Sequence, residues 1–285
     1  MSARVITLTT DFGARGGYVG VMKGVIYALQ PAALVVDLTH EVAPQRVREG
    51  AFLLHIAYRH FPPGAIHVAV VDPGVGTARR GLCLDVPGVG RFVGPDNGLF
   101  SYVVDAHPDL VAREIANAAW LRQPVSRTFH GRDVFAPVAA RLSRGEPIAE
   151  VGPLVAAREL VRLDNLWPAW AGRLDGAREL VGEVVHVDRF GNLISNIPRQ
   201  AFADLPPASL AAVEIAVAGH RVRGIAETYG QAAPGAVIAL FGSGGFLEVA
   251  RVNGRAARLG AAGDDWRDLG ERVVVELSPG VGGGP

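Results

Sequence analysis

Residues 66–80 read IHVAVVDPGVGTARR, and this stretch decides the fold class. Apart from His67, Ile66–Val71 is a run of β-branched and small apolar residues without polar alternation. That is the pattern of a strand covered on both faces, as in a parallel sheet. The run ends on Asp72, and a proline–glycine loop follows. Two upstream segments repeat the arrangement: Val5–Thr10 (VITLTT) runs into Asp11, and Ala33–Leu38 (ALVVDL) carries Asp37. Between them, Tyr18–Gln30 and Val47–Phe61 are long enough for crossover helices. Pro31 and Pro62 stop these, because proline lacks the backbone donor and clashes with the preceding turn. A further helix is expected over Arg132–Arg144, ended by Gly145. Residues 1–165 therefore read as an α/β domain with a mostly parallel sheet.

Past Asn165–Gly172 (NLWPAWAG), which reads as a junction, the helical rhythm fades. Val181–Val187, Ala212–Val217, Ala236–Phe241, Phe246–Val252 and Glu271–Leu277 are short strand-like runs separated by glycine and proline turns. Residues 172–285 are thus expected to form an all-β, barrel-like domain. The tail Ser278–Pro285 (SPGVGGGP) is low in complexity and reads as a frayed terminus.

Composition narrows the function. With 28 basic and 28 acidic residues the formal charge is zero, which removes the broad basic footprint of a nucleic-acid or anionic-membrane binder. No apolar run reaches the roughly 18 residues a membrane span needs. The start, MSARVITLTTDFG, enters a strand directly and does not read as a signal peptide. Cys83 is the single cysteine and reads as a small buried residue in GLCLDV. The expectation is a soluble cytoplasmic protein.

Three strands deliver Asp11, Asp37 and Asp72 to the carboxyl edge of the sheet, where open parallel sheets bind ligands. Any one of them could equally cap the next helix. Asp72 stands out because its glycine-rich loop is long and ends in Arg79-Arg80. Familiar machinery is missing. Asp11-Phe12-Gly13 spells the kinase magnesium triplet, yet no kinase loop precedes it. No dinucleotide or phosphate loop, HExxH pair or GxSxG elbow occurs, so a dedicated metal site is not expected. What remains are four loops mixing glycine, polar side chains and, in three of them, an aromatic: 94–98 (GPDNG), 128–133 (TFHGRD), 188–192 (DRFGN) and 241–248 (FGSGGFLE). Glycine lets backbone approach a ligand closely, and the mixture suits a small polar ligand with a flat ring.

At these residues the sequence resembles the S-adenosylmethionine (SAM) hydroxide adenosyltransferases, relatives of the fluorinases and chlorinases. The resemblance rests on TTDFG, YVGVMKG, VVDPGVGTARR, FVGPDNG, TFHGRDVFAP, DRFGNLISNI and GSGGFLEVA, in that order, across nearly the whole chain. It implies an N-terminal α/β domain followed by a C-terminal β-barrel. It also implies a homotrimer with sites between subunits, SAM as the substrate, and no cofactor or metal. Asp72, Arg79 and His130 match the triad that positions the attacking water. By the same matching, Asp11 binds the ribose hydroxyls, Asn192 meets the adenine edge with Tyr229 against its face, Asp188 takes the methionine ammonium and Ser243 its carboxylate. Glu248 is placed with them in the substrate pocket. One departure concerns 14–18, Ala-Arg-Gly-Gly-Tyr, where the family carries an acid before the YVG.

The implied reaction is attack of water on the ribose 5′ carbon, releasing adenosine and methionine. A sulfonium leaves as a neutral thioether, so the demand falls on the nucleophile, which must be oriented or deprotonated. Arg79 could stabilise a developing hydroxide, and Asp72 or His130 could take its proton. Two other readings stay open at this point: transfer of a halide to the same carbon, and a sensor that binds SAM or adenosine without chemistry.

Overall fold

The computed structural model describes residues 4–258 and 269–278. The chain divides into two compact units between Asp164 and Asn165.

The first unit opens with β1 (Val5–Thr10), α1 (Tyr18–Leu29), β2 (Leu34–Thr39), α2 (Val47–Tyr58) and β3 (Ala65–Val70). Then come β4 (Gly81–Val86), β5 (Gly90–Pro95), α3 (Ser101–Ala106), β6 (Val111–Glu114), α4 (Ala136–Ser143) and β7 (Leu154–Val155). The seven strands lie in the order β2-β1-β3-β5-β4-β6-β7. β2, β1, β3 and β5 are mutually parallel, while β4, β6 and β7 add antiparallel pairings at one side. The α/β expectation with a mostly parallel sheet is met. Central β3 is buried along its whole length. Ile66 and Val68 pack with Met22 and Ile26 of α1 and Val138 and Leu142 of α4. His67, on the opposite face, stacks on Phe92 and meets Tyr58 of α2 edge-on. Cys83 is fully buried in the first of these layers, and burial pushes its thiol up to about 12.

The helix expected over 132–144 is in fact two pieces. Gly131–Phe135 forms a π-type turn that leads into α4. The reason lies in Pro137, which has no N–H to give the Asp133 carbonyl four residues back. That carbonyl instead accepts from the amide of Arg122 at 2.9 Å.

The second unit contains β8 (Trp170–Gly172), β9 (Arg178–Val187), β10 (Leu193–Pro198), the single turn α5 (Pro207–Leu210), β11 (Glu214–Val217) and β12 (His220–Arg223). β13 (Val237–Phe241), β14 (Phe246–Arg251) and β15 (Arg272–Leu277) complete it. The strand order is β12-β11-β15-β9-β10-β14-β13, with β8 paired to β9. Every ladder is antiparallel. Just after β12, Ala226 bridges to β13 through its amide and the Ala239 carbonyl at 2.8 Å, which nearly closes the sheet into a barrel. Leu180, Val184, Leu193, Ile197, Ile215 and Leu247 fill the interior. The stretch read as a junction contains β8, because Trp170 sends its indole N–H to the Ala201 carbonyl and packs on Phe202. Of the expected frayed tail, residues 279–285 lie outside the described residues.

Candidate active site

The loop that follows β3 turns back on itself through Val75 N–H to the Asp72 carbonyl (3.2 Å) and Thr77 N–H to the Gly74 carbonyl (3.2 Å). Gly76 sits at φ +77°, and a Cβ there would overlap the carbonyl oxygen of Arg127. Only glycine lets this loop lie so close to the 122–133 segment. The Asn97 amide donates to the Val71 carbonyl at 2.8 Å and so steadies the strand end just before Asp72.

Arg79 and Arg80 leave the chain in different directions. Arg80 donates to Asp96, through Nε at 3.0 Å and Nη2 at 2.7 Å. Arg79 turns to Asp72: Nε donates to the carboxylate oxygens at 3.0 and 3.1 Å, and Nη2 makes a further short bond to Oδ2. The same Nη2 meets His130 Nδ1 at 2.7 Å. The guanidinium also lies over the Phe135 ring, 5.3 Å from its centroid. Both partners of the ion pair are nearly buried, which makes the charge-assisted bonds strong.

The 122–133 segment that carries His130 is anchored by Asp133, which is fully buried. Its carboxylate accepts from the Ser126 amide (2.9 Å) and from Arg132 Nε and Nη2 (2.7 Å each). Burial would raise that carboxyl, but Arg132 and the Ser126 amide overcome it and hold it below the usual range. His130 is held below its ordinary value by burial and then by the Arg79 charge, with Asp72 and Asp133 pulling the other way.

Asp72 and His130 form part of the wall of a cleft of about 410 Å³, together with Asp11, Phe12, Tyr18, Gln45, Phe129 and Gly131. Arg79 is not part of that wall; it stands behind the two. The Phe12, Tyr18 and Phe129 rings contact one another at centroid distances of 5.1–5.9 Å. Asp11 accepts the Gln45 amide at 2.8 Å. Burial, with the Asp72 charge adding to it, keeps the Asp11 carboxyl above its ordinary range.

Asp37 does not join Asp11 and Asp72. β2 continues past it to Thr39, so Asp37 lies inside the strand, opposite Leu8, where it is paired with Lys23 at 2.6 Å. The GPDNG loop is likewise absent from the cleft wall. Its Asp96 and Asn97 serve Arg80 and Val71 instead.

In the second unit, four of the expected substrate residues come together. Asp188 accepts from the Asn192 amide nitrogen (2.9 Å) and from its side-chain Nδ2 (3.0 Å). Asn192 Nδ2 also reaches Tyr229 Oη at 3.4 Å, and Tyr229 donates a short bond to Glu248. Burial and the Asp188 charge raise the Glu248 carboxyl, although its bond to Tyr229 opposes this. Burial and Glu248 push the Tyr229 phenol up as well. Ser243 lies exposed in the turn between β13 and β14. Among the described residues no group of three or more His, Cys, Asp and Glu side chains could hold a metal ion, and no helix is long and apolar enough to cross a membrane.

Two domains of a single known family match this chain in order, the N-terminal domain over residues 6–152 and the C-terminal domain over residues 182–266. The chain belongs to the SAM hydroxide adenosyltransferases. An (R)-S-adenosyl-L-methionine hydrolase of Salinispora arenicola is 44% identical over 258 residues, covering 89% of this chain and 92% of the relative. The hydrolase of the same name from Thermus thermophilus is 39% identical over 266 residues, covering 90% and 94%. A fluorinase of Nocardia brasiliensis is more distant, 27% identical over 273 residues, covering 87% and 90%. Among solved structures, an uncharacterised conserved protein of Thermotoga maritima superposes with a TM-score of 0.83 at 34% identity, covering 95% of this chain and 99% of that one.

In this member of the SAM hydroxide adenosyltransferases, the sequence motifs named most of the residues that the fold brings together, but not their bonding. They missed Asp133, whose place at the buried foot of the His130 turn is signalled in sequence only by its following TFHGR. They also gave no hint that Arg79 would stand behind Asp72 and His130 and not beside the cleft.

Proposed function

We propose that this protein hydrolyses SAM to adenosine and methionine, and that its substrate is the (R) sulfonium epimer named in its relatives. The observation that carries this is the Asp72–Arg79–His130 arrangement in a chain aligned with the hydrolases over nine-tenths of its length. A water in the cleft attacks the ribose 5′ carbon. The oxygen–carbon bond forms as the carbon–sulfur bond breaks, and its electron pair leaves on sulfur as neutral methionine.

The hydrogen bonds favour one division of labour. A guanidinium has only donors, so His130 Nδ1 must accept from Arg79 and the neutral ring carries its proton on Nε2. His130 therefore orients the water, and the carboxylate of Asp72 receives its proton. Arg79 keeps both in place. Its Nε and Nη2 donors are taken by Asp72 and His130, and Nη1 donates to the Arg80 carbonyl at 3.3 Å. A halide would find little free guanidinium and would face the Asp72 charge, which argues against halide transfer. A sensor would have no need of a carboxylate and imidazole locked together at the same cleft. Asp11 binds the ribose hydroxyls, Asn192 and Tyr229 the adenine, Asp188 the ammonium and Ser243 the carboxylate of methionine.

The active form is a cytoplasmic homotrimer in which the triad of one subunit works with the Asp188–Asn192 cluster of the next, as the family resemblance implies. No metal or cofactor takes part. The test is to incubate the purified protein with each SAM epimer and chromatograph the products. Equimolar adenosine and methionine from the (R) epimer, unchanged after dialysis against a strong chelator, support the reading. No adenosine from either epimer overturns it.

A further inference from the structure

We propose that Glu248 is a positioning residue that works through Tyr229 to fix the Asn192 amide, and so makes the site prefer a 6-aminopurine over a 6-oxopurine. The proposal rests on the reading above that Asn192 faces the adenine.

Glu248 lies in β14 with Ile194 of β10 and Leu240 of β13 as its cross-strand partners. It is only 6% exposed, unusual for a carboxylate without a cationic partner among the described residues. The turn after β13 is shaped around it: a Cβ at Gly242 would overlap the Glu248 carboxylate. Its bonding partner is Tyr229, from a different loop.

The direction of the relay follows from donors and acceptors. A carboxylate oxygen accepts, so Tyr229 spends its O–H on Glu248. The phenol oxygen is then free to accept, and it is an N–H of Asn192 that approaches it, at 3.4 Å. The other N–H of Asn192 goes to Asp188 at 3.0 Å. Both hydrogens of the amide are thereby given acceptors, which decides the amide's orientation on chemical grounds. Oδ1 is left over, and among the described residues no donor reaches it. Such an oxygen reads an N–H. The exocyclic 6-amino group of adenine offers one, whereas the 6-oxo group of hypoxanthine would set two acceptors against each other. Without Glu248, Tyr229 could turn its O–H toward Asn192. The amide could then flip, and an NH₂ facing the ligand would donate to the 6-oxo group.

The experiment is calorimetric titration of the full-length protein with adenosine and with inosine. The wild type should favour adenosine by on the order of tenfold to a hundredfold, the range that one unmet hydrogen bond commands. Glu248→Ala and Tyr229→Phe should each shrink that ratio by about tenfold, and Glu248→Gln, which keeps a carbonyl acceptor for Tyr229, should restore most of it. Tyr229 is partly exposed, so its phenylalanine variant remains informative should Glu248→Ala fail to fold. With SAM, KM should rise more than kcat falls, because the relay holds the base and not the reacting carbon. A merely structural role for Glu248 would weaken both nucleosides alike. An unchanged ratio in Tyr229→Phe, or a wild type without preference, overturns the relay. Failure of the wild type to hydrolyse SAM counts separately, against the proposed reaction.

Discussion

Arg79 Nη2 donates to His130 Nδ1 at 2.7 Å while the same guanidinium grips Asp72. One buried cation thus fixes the tautomer of an imidazole and the orientation of a carboxylate together. Removing it frees both.

Arg79→Ala should therefore lower kcat by on the order of 10²-fold or more with little change in KM, since the groups it holds act mainly in the transition state. Arg79→Lys should recover little, because an ammonium cannot span Asp72 and His130 as the planar fork does. Steady-state kinetics with SAM decides it, and a variant that loses affinity but keeps its turnover would contradict the assignment.

Much of the pH dependence of stability below neutrality should come from two histidines away from the site. Burial holds His55 and His67 at about 4, below the ordinary 6.5. In the unfolded chain they bind protons first, so their stability contribution is whole above pH 6.5 and is lost as pH falls toward 4. With two protons taken up, the slope in that window should approach about 2.7 kcal/mol per pH unit. Urea unfolding at pH 7.5, 6 and 5 measures it. A His55→Phe/His67→Phe protein should show a visibly flatter slope, and an unaltered slope would exclude these residues as the source.

Gly76→Ala tests the loop. The new Cβ meets the Arg127 carbonyl, and φ is +77°, so the substitution should destabilise by more than about 1 kcal/mol. It should also cut kcat, because the loop must move away with Arg79 on it. Thermal unfolding together with kinetics checks both, and a protein with wild-type behaviour in each would show that the close approach is not needed.

Sequence made the parallel core legible because β1 and β3 are short, uncharged, β-branched-rich runs, with prolines beyond the helices that follow β1 and β2. The β4–β5 hairpin was not legible as such: GLCLDV reads equally as any buried run, and nothing local marks its antiparallel partner. Asp37 looked equivalent to Asp11 and Asp72, yet β2 runs on to Thr39 and keeps it inside the strand, away from the cleft. Where a strand ends depends on its pairing with the neighbouring strand, which no single segment records. The GPDNG loop has a ligand-site composition, but its polar atoms are used up internally by Arg80 and Val71. Motif order singled out Asp72, Arg79 and His130, and the fold brings these three side chains together. Who bonds to whom among them emerged only from the folded chain.

Mixing Asp72→Ala chains with Asn192→Ala chains, after partial denaturation and reassembly, examines the proposed trimer. Each variant alone should be nearly inactive. Hybrids should regain a fraction of wild-type turnover, since some sites then draw intact groups from different chains. Demonstrated subunit exchange without any recovery would mean that every site is built within one chain.

The proposed nucleophile is water, held by Asp72 and His130 and backed by Arg79. A halide placed about 4 Å from the Asp72 carboxylate would meet a repulsion of about 4 kcal/mol at an effective dielectric near 20, which neutral water escapes. Turnover of SAM in ¹⁸O-water with chloride and fluoride present, followed by mass spectrometry of the nucleoside, tests this most directly. Attack by water should give adenosine with one ¹⁸O at its 5′ position and no halogenated product. Unlabelled adenosine, or 5′-chloro- or 5′-fluoro-adenosine as the main product, would contradict it.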